Sequence, residues 1–317
     1  MMAKRKMIID CDAGIDDAQA ILVALAAPNV EVVAITCVAG NTTIENVCVN
    51  VLKVLELCNR TDIPVFKGAA GSLLDDSKGS ASHFHGKDGL GDVKDIPDPD
   101  MSLLKTEHAV NAMIRIVNEH PGEITLVPLG PLTNVALACR LDPDISSKLE
   151  NVVIMGGNFE AKGNTYVSAE FNFHFDVEAA YIVLNKLTCP VSLVTWEFCL
   201  NHALSWDFYD SYIGQGTKKS DFIQRISHVS ASFYKENKRG FGQGYTSCDP
   251  LAMSVAVKPE IVTEETSVYA TTELHGHLTR GQMVVDWRGH LGKKHNIMLV
   301  QEVDLEAHKV LMMNSLK

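Results

Sequence analysis

A chain of 317 residues with 46% hydrophobic and 21% charged side chains buries roughly three quarters of the surface its unfolded form exposes, which excludes a peptide-sized module, a coiled coil and long disorder. Its 28 Lys and Arg against 39 Asp and Glu give a formal net charge of -11, and the KRK run at 4–6, read as a solvated N-terminal extension, does not offset it, so a nucleic-acid partner is excluded. Eight cysteines are too sparse for a disulfide framework, and Cys11, Cys37, Cys48 and Cys58 in apolar surroundings read as reduced core thiols in a reducing compartment.

Residues 7–10 are a short apolar run ending in carboxylates, and the helical pattern over 16–27 that follows is closed by Pro28 and Asn29. A buried strand is expected at 30–36. Thr42, with Glu45 three residues on, predicts a capping box before a helix over 43–59, and a brief strand follows at 64–66. Periodicity then stops over 67–100, where Gly, Asp, Ser and Pro give a loop far longer than the usual four to six residues. The pattern resumes with a helix at 105–119, a strand at 123–128, a helix at 132–139, a strand at 151–155, a helix at 176–186 and a strand at 191–194. Helices are predicted at 203–212, 221–236 and 250–257, strands at 267–274, 281–287 and 296–303, and a closing helix at 305–313.

Uninterrupted apolar strands joined through helices require a parallel sheet covered on both faces. With neither a repeat nor a linker to divide the chain, the expected architecture is one α/β domain over 1–317: an open, mostly parallel sheet with helices on both faces, a Rossmann-like core with helical and strand elaborations towards the C-terminus. No apolar stretch reaches the roughly 20 residues of a bilayer crossing, and the most apolar one, 18–27, contains Gln19. The N-terminus meets carboxylates before a signal-peptide core can form, so no membrane association and a cytoplasmic location are expected.

Asp10, Asp12, Asp16 and Asp17 fall within eight residues, at the end of a predicted strand and the start of a helix, where open α/β sheets bind ligands. Four like charges so close raise one another's pKa unless a cation compensates, and oxygen ligands without a His or Cys cluster point to calcium or magnesium. The plain alternative is that Asp16 and Asp17 favour a helix N-terminus while Asp10 and Asp12 are solvated. A magnesium-dependent phosphatase or phosphotransferase with Asp10 as nucleophile uses similar residues and stays open.

The segment DCDAGIDDAQAIL at 10–22 resembles the opening signature of the inosine-uridine preferring nucleoside hydrolases, and the likeness continues in order through VAGN (38–41), HFHG (83–86), LVPLGPLTN (126–134), VVIMGG (152–157), AEFN (169–172) and CDP (248–250). The resemblance implies an N-ribohydrolase that splits a ribonucleoside into ribose and free base at a bound calcium ion, through an oxocarbenium-like transition state. It implies calcium ligands at Asp12, Asp17, Asp249 and the backbone carbonyl of Leu129, with Asp12 also the general base that activates water. It places Asp16, Asn41, Asn164, Glu170 and Asn172 on the ribose and His85 near the departing base. Phe171, Phe241 and Tyr245 are the candidate base contacts, the last two in a Gly-rich stretch read as a second lid beside the long loop. A homo-oligomer, dimer or tetramer, and a role in purine and pyrimidine salvage go with the family.

Four positions depart from the family's pattern, the first being Leu129, where the family more often has Thr, a change that a backbone-carbonyl ligand tolerates. Cys248 stands where better-known members have the His taken to protonate a purine, and a thiol, with a reference pKa near 8.5, is a weaker partner at neutral pH. Ala13 replaces a usual Pro and Pro131 a common Gly, the latter suited to a first helical turn. A ribose-derivative binder that retained the pocket without the acid is the third reading.

Overall fold

The computed structural model describes residues 4–74, 80–236 and 244–317. Strands β1 (Arg5–Cys11), β2 (Val30–Cys37), β3 (Val65–Lys67), β4 (Leu104–Lys105), β5 (Ile124–Pro128), β6 (Leu149–Met155), β7 (Val191–Val194) and β8 (Val262–Val268) belong to one sheet; β9 (Ala270–Thr272) and β10 (Met283–Val285) form a separate hairpin, and β11 (Ile297–Val303) returns to the main sheet. Its nine strands run in the order β4-β3-β2-β1-β5-β6-β7-β11-β8, all parallel except the edge pair β11 and β8. The α/β expectation holds.

β1 shows why the sheet is buried on both sides. Met7, Ile9 and Cys11 join a core beneath the helices Ile15–Ala26, Ile44–Leu57, Cys248–Val257 and Leu305–Ser315, while Ile8 joins a second core beneath Ala109–Glu119, Thr133–Leu141 and Val177–Lys186. Alternate residues of one strand therefore serve opposite layers, so after the half-buried Arg5 and Lys6 at its start β1 stays apolar until Asp10. The helix Cys248–Val257 is buried at every position and packs on Ile15–Ala26. Truncating Leu251 there to Ala would cost about 2–5 kcal/mol.

Strand order reverses between β1 and β5: the strand following β1 lies on one side and the strand following β5 on the other. The turns leaving their carboxyl ends diverge and open a crevice. The first of these turns carries Asp12, Asp16 and Asp17, and the second carries Leu129.

Several boundaries differ from expectation for local reasons. Arg5 and Lys6 are strand residues rather than a solvated extension: Arg5 Nη1 donates to the Ala256 carbonyl (2.7 Å) and Lys6 Nζ pairs with Glu123 (2.7 Å). Thr43, not Thr42, caps the second helix by accepting from Asn46 N, because the Thr42 hydroxyl donates to the Lys87 carbonyl (2.9 Å) in the long loop. The helix expected over 221–236 is two, Lys218–Ile226 and His228–Glu236, broken at Ser227, whose hydroxyl bonds back to the Ile223 carbonyl. The strand expected at 267–274 divides, since β8 pairs with β11 while β9 leaves to pair with β10. No helix among the described residues is long and apolar enough to cross a membrane.

Candidate active site

The floor of the crevice is carboxylate. Asp16 and Asp17 occupy the first turn of Ile15–Ala26 and Asp249 the first turn of Cys248–Val257, so two helix N-termini, with their partial positive charge, face one acidic group. One oxygen from each of Asp16, Asp17 and Asp249 lies within 4.8 Å of the others. Asp17 Oδ2 accepts from Gly14 N (2.8 Å) and Asn41 Nδ2 (3.2 Å), and Asp12 Oδ2 accepts from Asn41 N (2.8 Å). Asp12 adjoins this trio rather than completing it, near enough to feel the charge of Asp17 and Asp16. Gly40 and Gly130 close on its carboxylate from two sides; a Cβ on Gly130 would stand 2.8 Å from Asp12 Oδ1. Any side chain at either glycine would displace Asp12.

Burial first, and like charge second, holds Asp12 well above the usual carboxylate range, and burial with Asp17 beside it lifts Asp16 to about 7. Burial likewise raises Asp17, and raises Asp249 strongly with help from Asp16 and Asp17. Asp16 Oδ1 and Asp17 Oδ1 are buried with no hydrogen-bond partner. Uncompensated carboxylates and orphaned oxygens at one point are what a hard divalent cation relieves, and an all-oxygen donor set suits calcium or magnesium. The Leu129 carbonyl, at the end of β5, accepts from Asn172 Nδ2 (2.7 Å) and keeps a second lone pair.

Asp10 belongs to the support, not the crevice. It is fully buried, and its Oδ1 accepts from Thr36 Oγ1 (2.6 Å) and Asn134 Nδ2 (2.8 Å); burial raises it to about 7. Neither Asp10 nor Asp12 lines the cleft, but the Asp10 bonds run to β2 and to the helix Thr133–Leu141, whereas Asp12 adjoins the cluster of Asp16, Asp17 and Asp249, so Asp10 braces the sheet and is poorly placed for an aspartyl nucleophile.

Above the floor lies a cleft whose polar lining includes Asp16, Asn41, Asn164, Glu170, Asn172 and Asp249. Glu170 caps the helix Phe171–Phe175: its Oε1 accepts from Asn172 N (2.8 Å) and its Oε2 from Gly157 N (2.8 Å) and Phe173 N (3.1 Å), yet burial still lifts it to about 7. Phe171, half-buried, also lines the cleft.

An aromatic wall also lines the cleft and is largely missed by the sequence reading. Phe84 from the short helix Ser82–His85 packs edge-on against Phe233 (5.5 Å) and Tyr234 (5.1 Å) of His228–Glu236; Trp196 lines the cleft too, and so does Met155, whose Sδ accepts from Asn172 Nδ2 (3.4 Å). Adjacent aromatics in a helical segment, Phe233 and Tyr234, were the available signal. Tyr245 does not line the cleft: its hydroxyl accepts from Gln19 Nε2 (2.7 Å) and its ring packs 4.5 Å from Tyr209, so it is a core residue. Phe241 lies outside the described residues.

His85 lines the cleft with its ring buried. Its Nδ1 accepts from Ile15 N (3.1 Å), and burial holds it down to about 3, which fixes a neutral ring with the proton on Nε2. A Cβ on Gly14 would meet this ring at 2.5 Å, so the turn that carries the carboxylates accepts the histidine only because residue 14 is glycine. Cys248 also lines the cleft; its hydrogen bond to Cys199, then burial, raise the thiol well above its ordinary value. Ala13 has φ 25°, a value a proline ring cannot reach.

The chain is similar to known proteins along its whole length. The family profile described as inosine-uridine preferring nucleoside hydrolase matches residues 7–309. The Leishmania major protein named inosine-uridine preferring nucleoside hydrolase is 35% identical over 315 residues, covering 99% of this chain and 98% of that one. The Escherichia coli pyrimidine-specific ribonucleoside hydrolase RihA is 35% identical over 311 residues, covering 98% of each. A solved inosine-guanosine nucleoside hydrolase superposes with a TM-score of 0.91 at 37% identity, covering 99% of both chains. With a crevice at the strand reversal, its carboxylate floor and this agreement from end to end, the chain belongs to the inosine-uridine preferring nucleoside hydrolase family and is an enzyme acting on ribonucleosides.

Proposed function

We propose that the cleft hydrolyses the N-glycosidic bond of ribonucleosides with a calcium ion held by Asp12, Asp17, Asp249 and the Leu129 carbonyl. The observation that carries this reading is the cluster of Asp16, Asp17 and Asp249, with orphaned oxygens, at a cleft that an aromatic cluster also lines. A sugar meets the polar side and a flat base the rings. When bound, calcium supplies a Lewis acid that grips the ribose diol and eases ionisation of water.

The chain's own groups do the rest. Asp12, clamped by Gly40 and Gly130 and bonded by only one backbone N–H, accepts the proton of the attacking water. Asp16, Asn41, Asn164, Glu170 and Asn172 hold the ribose hydroxyls. Departure of the base builds positive charge at the anomeric carbon, and the carboxylates below it stabilise that charge in a site shielded from water. Phe84, Phe171, Phe233 and Tyr234 hold the base by stacking. His85, neutral with Nε2–H, orients the base as a hydrogen-bond donor, while Cys248 offers only a poor acid for a purine. Base preference therefore turns on the wall and Cys248, and the relatives' names differ on this point: inosine-uridine, pyrimidine and inosine-guanosine.

The test is release of free base from ribonucleosides and their 2'-deoxy counterparts, before and after chelation and on adding back calcium. Ribonucleoside turnover restored by calcium is the expected result; phosphate-ester hydrolysis instead, or ribose binding without base release, would sink the reading.

A further inference from the structure

Glu197 is a fully buried carboxylate outside the acidic floor, on the helix Trp196–Asn201 that follows β7. It pairs with no cation among the described residues. Instead its Oε2 accepts from Phe159 N (2.9 Å), and its Oε1 from Glu160 N (2.9 Å) and Lys162 N (3.0 Å). Three charge-assisted bonds to neighbouring backbone N–H groups fix a loop far more firmly than surface contacts do. That loop runs from β6 to Glu170 and carries Asn164 and Thr165 into the cleft.

The same loop is tied elsewhere. Asn158 Nδ2 donates to the carbonyls of Lys162 (3.0 Å) and Ser168 (2.7 Å), and its Oδ1 accepts from Met283 N (3.0 Å). Asn158 closes the loop on itself, and Glu197 fixes the closed loop to the helix whose first residue, Trp196, lines the cleft. Asn164 Oδ1 is left buried with no hydrogen-bond partner, an acceptor aimed at something other than protein.

We propose that Glu197 is a positioning residue for the sugar: its carboxylate sets the loop that presents Asn164, and so governs ribose affinity rather than bond cleavage. This rests on the nucleoside hydrolase reading for what the cleft holds. Preorganisation by a group that never touches the ligand predicts coupling, because the benefit of Glu197 reaches the sugar only through Asn164.

The experiment is a double-mutant cycle of Glu197→Leu and Asn164→Ala in the full chain with calcium present. KM and kcat are read for inosine and uridine, ribose affinity by calorimetry, and Tm for each variant. Glu197→Leu is expected to raise KM and weaken ribose binding about tenfold with kcat within about threefold of wild type, and to add less than about twofold once Asn164 is Ala. Glu197→Gln, whose carbonyl oxygen still accepts from Glu160 and Lys162 but whose amide cannot accept from Phe159 N, should weaken ribose binding about threefold, an effect absent once Asn164 is Ala, and serves if the Leu variant does not fold. Additive effects, or a fall in kcat at unchanged KM, overturn the proposal. A wild-type protein that binds ribose but releases no base instead removes the nucleoside hydrolase reading, while the ribose cycle still decides the role of Glu197.

Discussion

The floor of the cleft is made of carboxylates held by backbone N–H groups of the turns around them, whereas its wall is made of rings held chiefly by one another. Asp12 and Asp17 receive bonds from Asn41 and Gly14, and Asp12 is boxed in by two glycines, so their places follow from the path of the main chain. Phe84, Phe233 and Tyr234 meet only because two helices far apart in the chain happen to converge. A floor built this way fixes chemistry; a wall built this way leaves room for change in what is bound.

That contrast sets the order of effects. Asp12→Asn keeps the shape between Gly40 and Gly130 and removes the base, and should cut kcat by about 10²- to 10⁴-fold with the fold intact; a rate near wild type would deny Asp12 its proton-accepting role. Calcium removal should match that loss, cutting turnover at least as far, and should also alter the pH dependence of stability. Asp10, Asp16 and Glu170 each titrate near about 7 in the fold, against ordinary values of 3.8, 3.8 and 4.5, so each contributes stability that is full below its ordinary value and lost as pH climbs through about 7. The metal-free protein should accordingly melt at falling temperature from about pH 4 to about pH 7, with calcium raising Tm most at the upper end. Calorimetry showing Tm rising across that window without metal would contradict the assignment.

The wall should respond more mildly. Phe84→Ala is expected to raise KM for nucleosides roughly tenfold by removing one stacking face, with little change for ribose binding. Equal losses for ribose and nucleoside would mean that Phe84 shapes the floor instead. The smallest expected effect is that of Cys248→His, which should raise purine rates a few-fold relative to pyrimidine rates measured side by side. An unchanged ratio would place leaving-group activation elsewhere on the wall.

How legible each part is in the sequence follows from the same difference. The acidic turn after β1 can be read directly, because its residues are neighbours in the chain and a strand-to-helix junction gives them a common direction. The parallel sheet can be read from its unbroken apolar strands for the same local reason. Tyr245 illustrates the opposite case: a glycine-rich approach suggests a mobile stacking residue, yet the phenol is taken up by Gln19 of the first helix. Ser227 breaks a helix that periodicity alone continues, because its hydroxyl bonds back to a carbonyl one turn earlier. Glu197 carries no sequence signal, since its partners are backbone groups of a loop rather than side chains with a recognisable spacing.

The arrangement of the two helices whose first turns meet at the acidic floor bears on biosynthesis. A ribosome delivers Asp17 before, and Asp249 after, strands β2 to β7, so a nascent polypeptide holds half a cage while most of the sheet is made. On the calcium reading, ion capture would come too late to guide those stages and would act afterwards as a latch, and conditions that starve the cell of the cation should leave behind a finished molecule that springs open more readily.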